Sequence, residues 1–310
     1  MVFFGRSLSL AALALCSSSL AAPTAEPRQE TFNTLLGYPE GGVTDGIALF
    51  NAPEPEYVTL SRETLANLNA TEAPAFDGPL SALAKRDVIG GRDDRVLWQD
   101  RNYPYSAVGK IQWSNGVWCS GTLIGPRHVA TAKHCAPGSG TSVSIRFSPV
   151  FFDGEVAGGS YVTHIISLPG FDVNDNPDAC DWKEDWAIFV LQDRIGESQG
   201  YFGARLIEDS HTGRPIFFNM GYPGDRDSGR FPYLSQGSTV RSPPYSCDAY
   251  GPYETDTDVA GGQSGGPFWL NDADGPYLYA ICSGSSSANS IFSGGNNFLQ
   301  AVINTRNDFP

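Results

Sequence analysis

The chain has 310 residues, and its 34 acidic against 20 basic residues give a formal charge of −14, which argues against nucleic acid and against anionic membranes as partners. The length accommodates more than one hydrophobic core together with processing segments. No stretch approaches the roughly 18 consecutive apolar residues of a membrane span, so no membrane anchor is expected.

In chain order, residues 1–22 read as a secretory signal. Arg6 supplies the positive region, residues 8–15 the apolar run, and Ser19-Leu-Ala21 or Leu20-Ala-Ala22 the small-residue cleavage site. Residues 23–87 are expected to form a propeptide. They hold neither cysteine nor tryptophan, are interrupted by Pro23, Pro27, Pro39, Pro53, Pro55, Pro74 and Pro79, and contain the glycosylation acceptor Asn69-Ala-Thr71, which suits a surface segment of a secreted precursor. A short helix is predicted here, with Ser61 as cap and residues 64–68 as body. The segment closes on Lys85-Arg86, a dibasic pair of the kind that furin-like or kexin-like proteases read, which leaves Asp87 or Val88 as the new N-terminus.

From Asp87 onward, short apolar or alternating runs recur between Gly, Pro, Asn, Asp and Ser, the texture of an all-β chain. Strands are predicted at 106–112, 118–124, 143–147, 161–167, 186–191, 215–220, 268–270, 277–282 and 298–303. No long 3.6-residue period interrupts them, so the expected class is a sandwich or barrel rather than α/β. Beyond Cys16 the chain carries Cys119, Cys135, Cys180, Cys247 and Cys282; export makes disulfides expected, and the odd count leaves at least one thiol unpaired or paired between chains.

The chemistry is carried by a serine among four glycines, in Gly261-Gly-Gln-Ser264-Gly-Gly266. Glycine tolerates backbone angles that other residues avoid. A tight turn here can present the Ser264 hydroxyl while aiming the N–H groups of Gly262 and Ser264 at one point, as a developing oxyanion requires. The base is His134 in Ala130-Thr-Ala-Lys-His-Cys135, because an unperturbed imidazole titrates near neutral pH. Cys119 lies 16 residues before Cys135, and a disulfide between them would pin the segment that carries His134. The carboxylate that orients the imidazole is Asp185, which opens the apolar run 186–191; Asp172, Asp175, Asp178, Asp181 and Glu184 sit in or beside a Pro/Asn-rich loop and read as solvated charge. Four histidines without HExxH or CxxC spacing offer no metal site, and no cofactor is expected. Gly262-Gln-Ser-Gly-Gly266 also matches an esterase elbow, but that turn needs a following helix and the order Ser, Asp, His; here Pro267-Phe-Trp-Leu follows and the order is His, Asp, Ser.

The order His134, Asp185, Ser264 within TAKHC, DWAIF and GGQSGGP resembles that of chymotrypsin-fold serine peptidases, over roughly residues 88–303. More narrowly, Val88-Ile-Gly-Gly-Arg-Asp-Asp-Arg, Pro104-Tyr-Ser-Ala, Gly221-Tyr-Pro-Gly-Asp225 and Thr255-Asp-Thr-Asp are similar to the glutamyl-endopeptidase branch. The resemblance implies two six-stranded antiparallel β-barrels with the active site in the cleft between them. His134 and Asp185 would come from the first barrel, 88–200, and Ser264 from the second, 201–310. It implies a secreted endopeptidase that acts on protein or peptide substrates through an acyl-enzyme, with its own propeptide as a further partner; a monomer is expected as the default for a secreted peptidase of this size. Ser283, Gly284 and Ser285 would line the cleft and pair with substrate backbone.

Three positions depart from the family pattern. Gln263 replaces the aspartate that binds a new N-terminal amine in trypsin-like relatives, while Val259 and Cys282 replace the hydroxyl residue and the histidine that hold a substrate carboxylate in the glutamyl branch. Asp258 stands where trypsin-like relatives carry the acid that attracts Lys or Arg. Acidic, basic and small or apolar side chains before the scissile bond all stay open, as does the pairing among Cys180, Cys247 and Cys282. The alternative from another class is an inactive homologue acting as an extracellular binding protein.

Overall fold

Six strands form the first ring: Val108–Trp113, Trp118–Gly125, His128–Thr131, Ile145–Pro149, Ser160–Ser167 and Ala187–Leu191. They pair antiparallel, and Ala187–Leu191 bonds to both His128–Thr131 and Ser160–Ser167, so the sheet closes on itself. Closure removes the unpaired strand edges that an open sheet must protect. The interior is filled by Ile111, Leu123, Val129, Phe147, Ile165 and Ile188, all buried. Every residue of Ala187–Leu191 is buried, which is why 186–191 reads as a continuous apolar run and not as an alternating one.

The second ring is made of Pro215–Gly221, Tyr233–Thr239, Tyr253–Thr255, Pro267–Asp272, Gly275–Ser285 and Ser290–Gly294. Antiparallel ladders join them in the order Tyr253–Thr255, Ser290–Gly294, Gly275–Ser285, Pro267–Asp272, Pro215–Gly221, Tyr233–Thr239, and a bridge between Val240 and Thr255 connects the two ends of this series. Its core packs Phe217, Phe268, Tyr279 and Phe292, with the Phe217 and Phe268 rings stacked at 4.4 Å.

The structure is a computed structural model that describes residues 33, 34, 36, 37, 52–79, 93–138, 141–175, 177–241, 247, 251–286 and 288–310. All belong to one unit, Thr31–Pro310. The signal segment 1–22, Lys85-Arg86, Asp87 and Val88 lie outside the described residues. Among the described residues no helix is long and apolar enough to cross a membrane.

Three features differ from expectation. Residues 298–303, predicted as a strand, belong to the helix Asn296–Asp308. Phe298, Leu299, Val302 and Thr305 fall on one buried face at helical spacing, and Leu, Gln and Ala favour the helix intrinsically. The strand Val96–Leu97, which a boundary at 88–200 assigns to the first barrel, pairs instead with Tyr233–Thr239 of the second ring.

Residues 52–79, expected as part of a propeptide, depart furthest from the sequence pattern, because they add short strands to both rings. Glu56–Thr59 adds in parallel to Ser160–Ser167 of the first ring, and Glu72–Ala73 pairs with Gly203–Arg205, itself bonded to Gly275–Ser285 of the second. Between them lies the short helix Arg62–Ala66, whose cap Ser61 accepts the Thr64 N–H at 3.0 Å. The helix buries Leu65, and Arg62 reaches Glu184 at 2.7 Å. Asn69, the glycosylation acceptor, is exposed.

Candidate active site

Ser264 sits in a turn that its neighbours fix from both sides. The N–H groups of Gln263, Gly265 and Gly266 are engaged by Ala260, Cys282 and Gln263 carbonyls at 3.0, 2.7 and 2.8 Å. The Ser264 carbonyl accepts the Ser120 N–H at 2.8 Å, and the Ser120 hydroxyl donates to the Gly262 carbonyl at 2.8 Å. Gly262 and Gly265 adopt φ of +94° and +80°, a region costly for residues with a Cβ. A Cβ on Gly262 would also strike the Trp118 ring and the Tyr222 carbonyl, and one on Gly265 would strike Thr131 and the Ser120 carbonyl. Glycine is therefore required at both positions by angle and by space.

His134 lies in a short 3₁₀ turn, Lys133–Cys135, directly after the strand His128–Thr131. Cys135 at its end is bonded to Cys119 on the neighbouring strand. Closing a loop of this length contributes about 3 kcal/mol in the chain-entropy account, and it ties the histidine turn to the barrel wall. Asp185 follows the 3₁₀ turn Asp181–Glu184 and precedes Ala187–Leu191.

These elements bring the three side chains into one line. His134 Nδ1 is 2.7 Å from Asp185 Oδ2, and His134 Nε2 is 2.7 Å from Ser264 Oγ. An ionised carboxylate only accepts, so Nδ1 carries the imidazole proton and Nε2 is left to accept from the Ser264 hydroxyl. The backbone N–H of His134 donates to Asp185 Oδ1 at 3.0 Å, and the Ser283 hydroxyl donates to Asp185 Oδ2. Asp185 and Ser264 have no exposed surface and His134 is 9% exposed, so solvent competes little for these bonds. The arrangement can activate a hydroxyl and hold charge on the imidazole.

Gln263 is fully buried, and its side-chain oxygen accepts from Arg95 at 2.7 Å and from the Ala260 N–H at 2.8 Å. The Arg95 guanidinium is buried too, forked onto Asp93 and Asp225 with closest approaches of 2.8 and 2.6 Å. An internal arginine thus touches the residue before the serine, at the position whose side chain in trypsin-like relatives meets a terminal amine. Arg95 is the contributor that sequence reasoning missed; Ser283, expected to line the cleft, is fully buried and gives its hydroxyl to Asp185.

The remaining predicted positions are placed as follows. Asp258 is half-buried, and its carboxylate accepts the Asp94 N–H at 3.0 Å. Val259 packs at the margin of the second core. Cys282, read by alignment as a wall of the specificity pocket, is fully buried in that core as a free thiol, pushed well up by burial and by the Asp185 charge. A thiol packs as a small apolar group, which accounts for its place beside Phe268 and Phe292. The second disulfide joins Cys180 to Cys247. Gly284 and Ser285 pair antiparallel with Thr34 and Asn33.

Asp94 and Asp258 place two carboxyl groups together, and the Asp94 carboxyl is pushed up to about 6, first by burial and then by the charge of Asp258. Its folded value lies above its ordinary 3.8. The stability it contributes is therefore full at pH below that ordinary value and is lost as pH rises through about 6. Asp94→Asn should remove this dependence, so that thermal melts favour the variant over the parent increasingly between about pH 4 and about pH 7. A pH-independent difference between the two melting points would show that Asp94 does not titrate in this window.

The family model for trypsin matches residues 96–302. A glutamyl endopeptidase of Bacillus licheniformis is 29% identical over 209 residues, covering 67% of this chain and 63% of the relative. An extracellular metalloprotease of Bacillus subtilis is 26% identical over 220 residues, covering 68% of this chain and 66% of the relative. The chain thus spans just under two thirds of these relatives. Among the described residues no group of three or more His, Cys, Asp or Glu is placed to hold a metal ion. A solved Glu endopeptidase in complex with MPD superposes with a TM-score of 0.57 at 22% identity, over 71% of this chain and all of the other, a likeness of fold.

Proposed function

The chain belongs to the trypsin family, and on that footing we propose that it is a secreted serine endopeptidase made as a prepropeptide. The observation that carries the proposal is the continuous hydrogen-bonded line from Ser264 through His134 to Asp185. Ser264 Oγ forms a bond to the peptide carbonyl carbon as its proton passes to His134 Nε2. The N–H groups of Gly262 and Ser264 receive the oxyanion, where loss of one donor costs on the order of 10² to 10³ in turnover. The tetrahedral species collapses, the C–N bond breaks, and His134 gives its proton to the departing amine. Water then repeats the sequence on the acyl-enzyme and frees Ser264. Asp185 holds the imidazole in the tautomer this needs and stabilises its charged form.

Two disulfides support export, since such bonds persist in oxidising compartments. Residues 1–22 serve as the signal and 23–87 as the propeptide, the chain being cut after Lys85-Arg86 and Asp87 then trimmed.

The side chain accepted before the scissile bond follows from Asp258. With Asp94 beside it and Arg95 committed to Asp93 and Asp225, a substrate carboxylate would meet like charge without a spare cation among these groups, at a desolvation cost left uncompensated. Uncharged or basic side chains fit better. Digestion of a mixed peptide library by the processed protein, with cleavage sites read by mass spectrometry, should show cleavage after uncharged or basic residues that disappears in Ser264→Ala. Cleavage confined to Glu and Asp would refute this specificity while leaving the peptidase reading intact. A library untouched by an enzyme that also resists a fluorophosphonate would refute both.

A further inference from the structure

A stretch of the chain's own N-terminal segment lies across the site. Asn33 and Thr34 pair antiparallel with Ser285 and Gly284 of the second ring. Gly37 pairs antiparallel with Trp118 of the first ring, exchanging both N–H···O bonds at 3.0 Å. Leu35 lies outside the described residues. The Leu36 carbonyl oxygen abuts Gly261, where an added Cβ would come within 2.7 Å of it.

Ser264 stands between these two pairings. On one side, the Gly265 N–H bonds the Cys282 carbonyl at 2.7 Å and Ser283 reaches Asp185, just before Gly284. On the other, the Ser264 carbonyl accepts from Ser120, two residues beyond Trp118, and Gly262 backs onto the Trp118 ring. A short run of backbone is thus zipped to one barrel before the nucleophile and to the other after it. Adding a strand to exposed backbone on both sides of a reactive group is how an extended peptide is held.

We propose that Asn33, Thr34, Leu36 and Gly37 occupy the substrate cleft in the uncut chain and keep the site closed until the N-terminal segment is removed. This proposal rests on the serine-peptidase reading of the same site. The occupant is held by more than its own few bonds. Residues 52–79 are built into both rings through Glu56–Thr59 and Glu72–Ala73, and Arg62 pairs with the buried Glu184. Tethering of this kind makes occupation intramolecular, at an effective concentration in the millimolar range, so a free peptide must compete with a neighbour that never leaves. A cut at Lys85-Arg86 breaks the chain without breaking these pairings. Activation therefore requires digestion or release of the segment as a second step.

Gly37 gives the direct test, because a Cβ there would run into the Trp118 ring. The full chain is kept in one piece by Lys85→Gln and Arg86→Gln, and turnover of a fluorogenic peptide pool is measured together with the rate of fluorophosphonate labelling. Gly37→Val in this background should raise both on the order of tenfold or more, in keeping with the loss of a tethered competitor. Asn33→Pro, which weakens the pairing with Ser285 by removing an N–H from that strand, should do the same and covers the case in which Gly37→Val fails to fold. Equal activity and labelling in the parent and both variants would overturn the proposal and leave the peptidase reading standing. No activity and no labelling in folded parent and variants alike would remove the peptidase reading, and the proposal with it.

Discussion

Ser264→Ala is expected to lower kcat of the processed enzyme by about 10⁶ while leaving KM nearly unchanged. The substitution removes one oxygen atom from a fully buried turn. The backbone bonds that fix the turn, from Ser120 to the Ser264 carbonyl and from Gly265 to the Cys282 carbonyl, do not involve that oxygen. The peptide should therefore still bind, and the N–H groups of Gly262 and residue 264 should still face its carbonyl. On the proposed mechanism what is lost is the nucleophile that His134 deprotonates, so only the residual catalysis of an oriented site should remain, about 10³ to 10⁴ over water. Initial rates on a fluorogenic peptide, normalised to folded protein, measure the effect. A decrease of only a few fold would place the nucleophile elsewhere.

Asp185→Asn should cost about 10⁴ in kcat with no comparable loss of stability. Asp185 accepts from His134 Nδ1 at 2.7 Å, from the His134 backbone N–H at 3.0 Å and from the Ser283 hydroxyl. An amide of the same shape can keep one of these acceptor roles but presents a donor where the second carboxylate oxygen was. Turned toward Nδ1, that donor drives the proton of the neutral imidazole to Nε2, and Nε2 can then no longer accept from Ser264. The loss is thus one of tautomer, not of packing. Paired measurements of kcat and of the urea midpoint separate the two: a large fall in kcat with a small shift in midpoint fits the tautomer argument, whereas parallel losses would make Asp185 a structural residue only.

Much of this site could be read in the sequence because its chemistry is concentrated in short segments. His134 and Ser264 each sit in a motif whose neighbours, Cys135 and the four glycines, have a physical reason to be there. Asp185 stood out among many acids because an apolar strand follows it. Arg95 gave no such signal. It is one arginine in an acidic stretch, and its contacts with Asp225 and Gln263 span 130 and 168 residues. The bond that the Ser283 hydroxyl gives to Asp185 was hidden for the same reason, since the two residues lie 98 apart.

The fold divides along similar lines. Strands such as 118–124 and 161–167 announced themselves by apolar runs, and their observed bounds, Trp118–Gly125 and Ser160–Ser167, differ only at the ends. Tyr233–Thr239 and Ser290–Gly294 are mixed in composition yet mostly buried; in the second of them Phe292 meets Phe268 while Ile291 packs with Phe171 and Trp182 from outside the ring, which pattern alone does not reveal. The N-terminal segment was hardest to read. Its strands, Asn33–Thr34, Glu56–Thr59 and Glu72–Ala73, are two to four residues long, shorter than any periodicity can register. Their order comes from the sheets they join and not from local preference.

The most direct test of the central claim is to label the folded Gly37→Val chain with a fluorophosphonate, digest it, and locate the modified residue by mass spectrometry. The account predicts one modified peptide, carrying the phosphonyl group on Ser264, and its loss in His134→Ala. A chain that stays unlabelled, or that is labelled at a different serine, would contradict it.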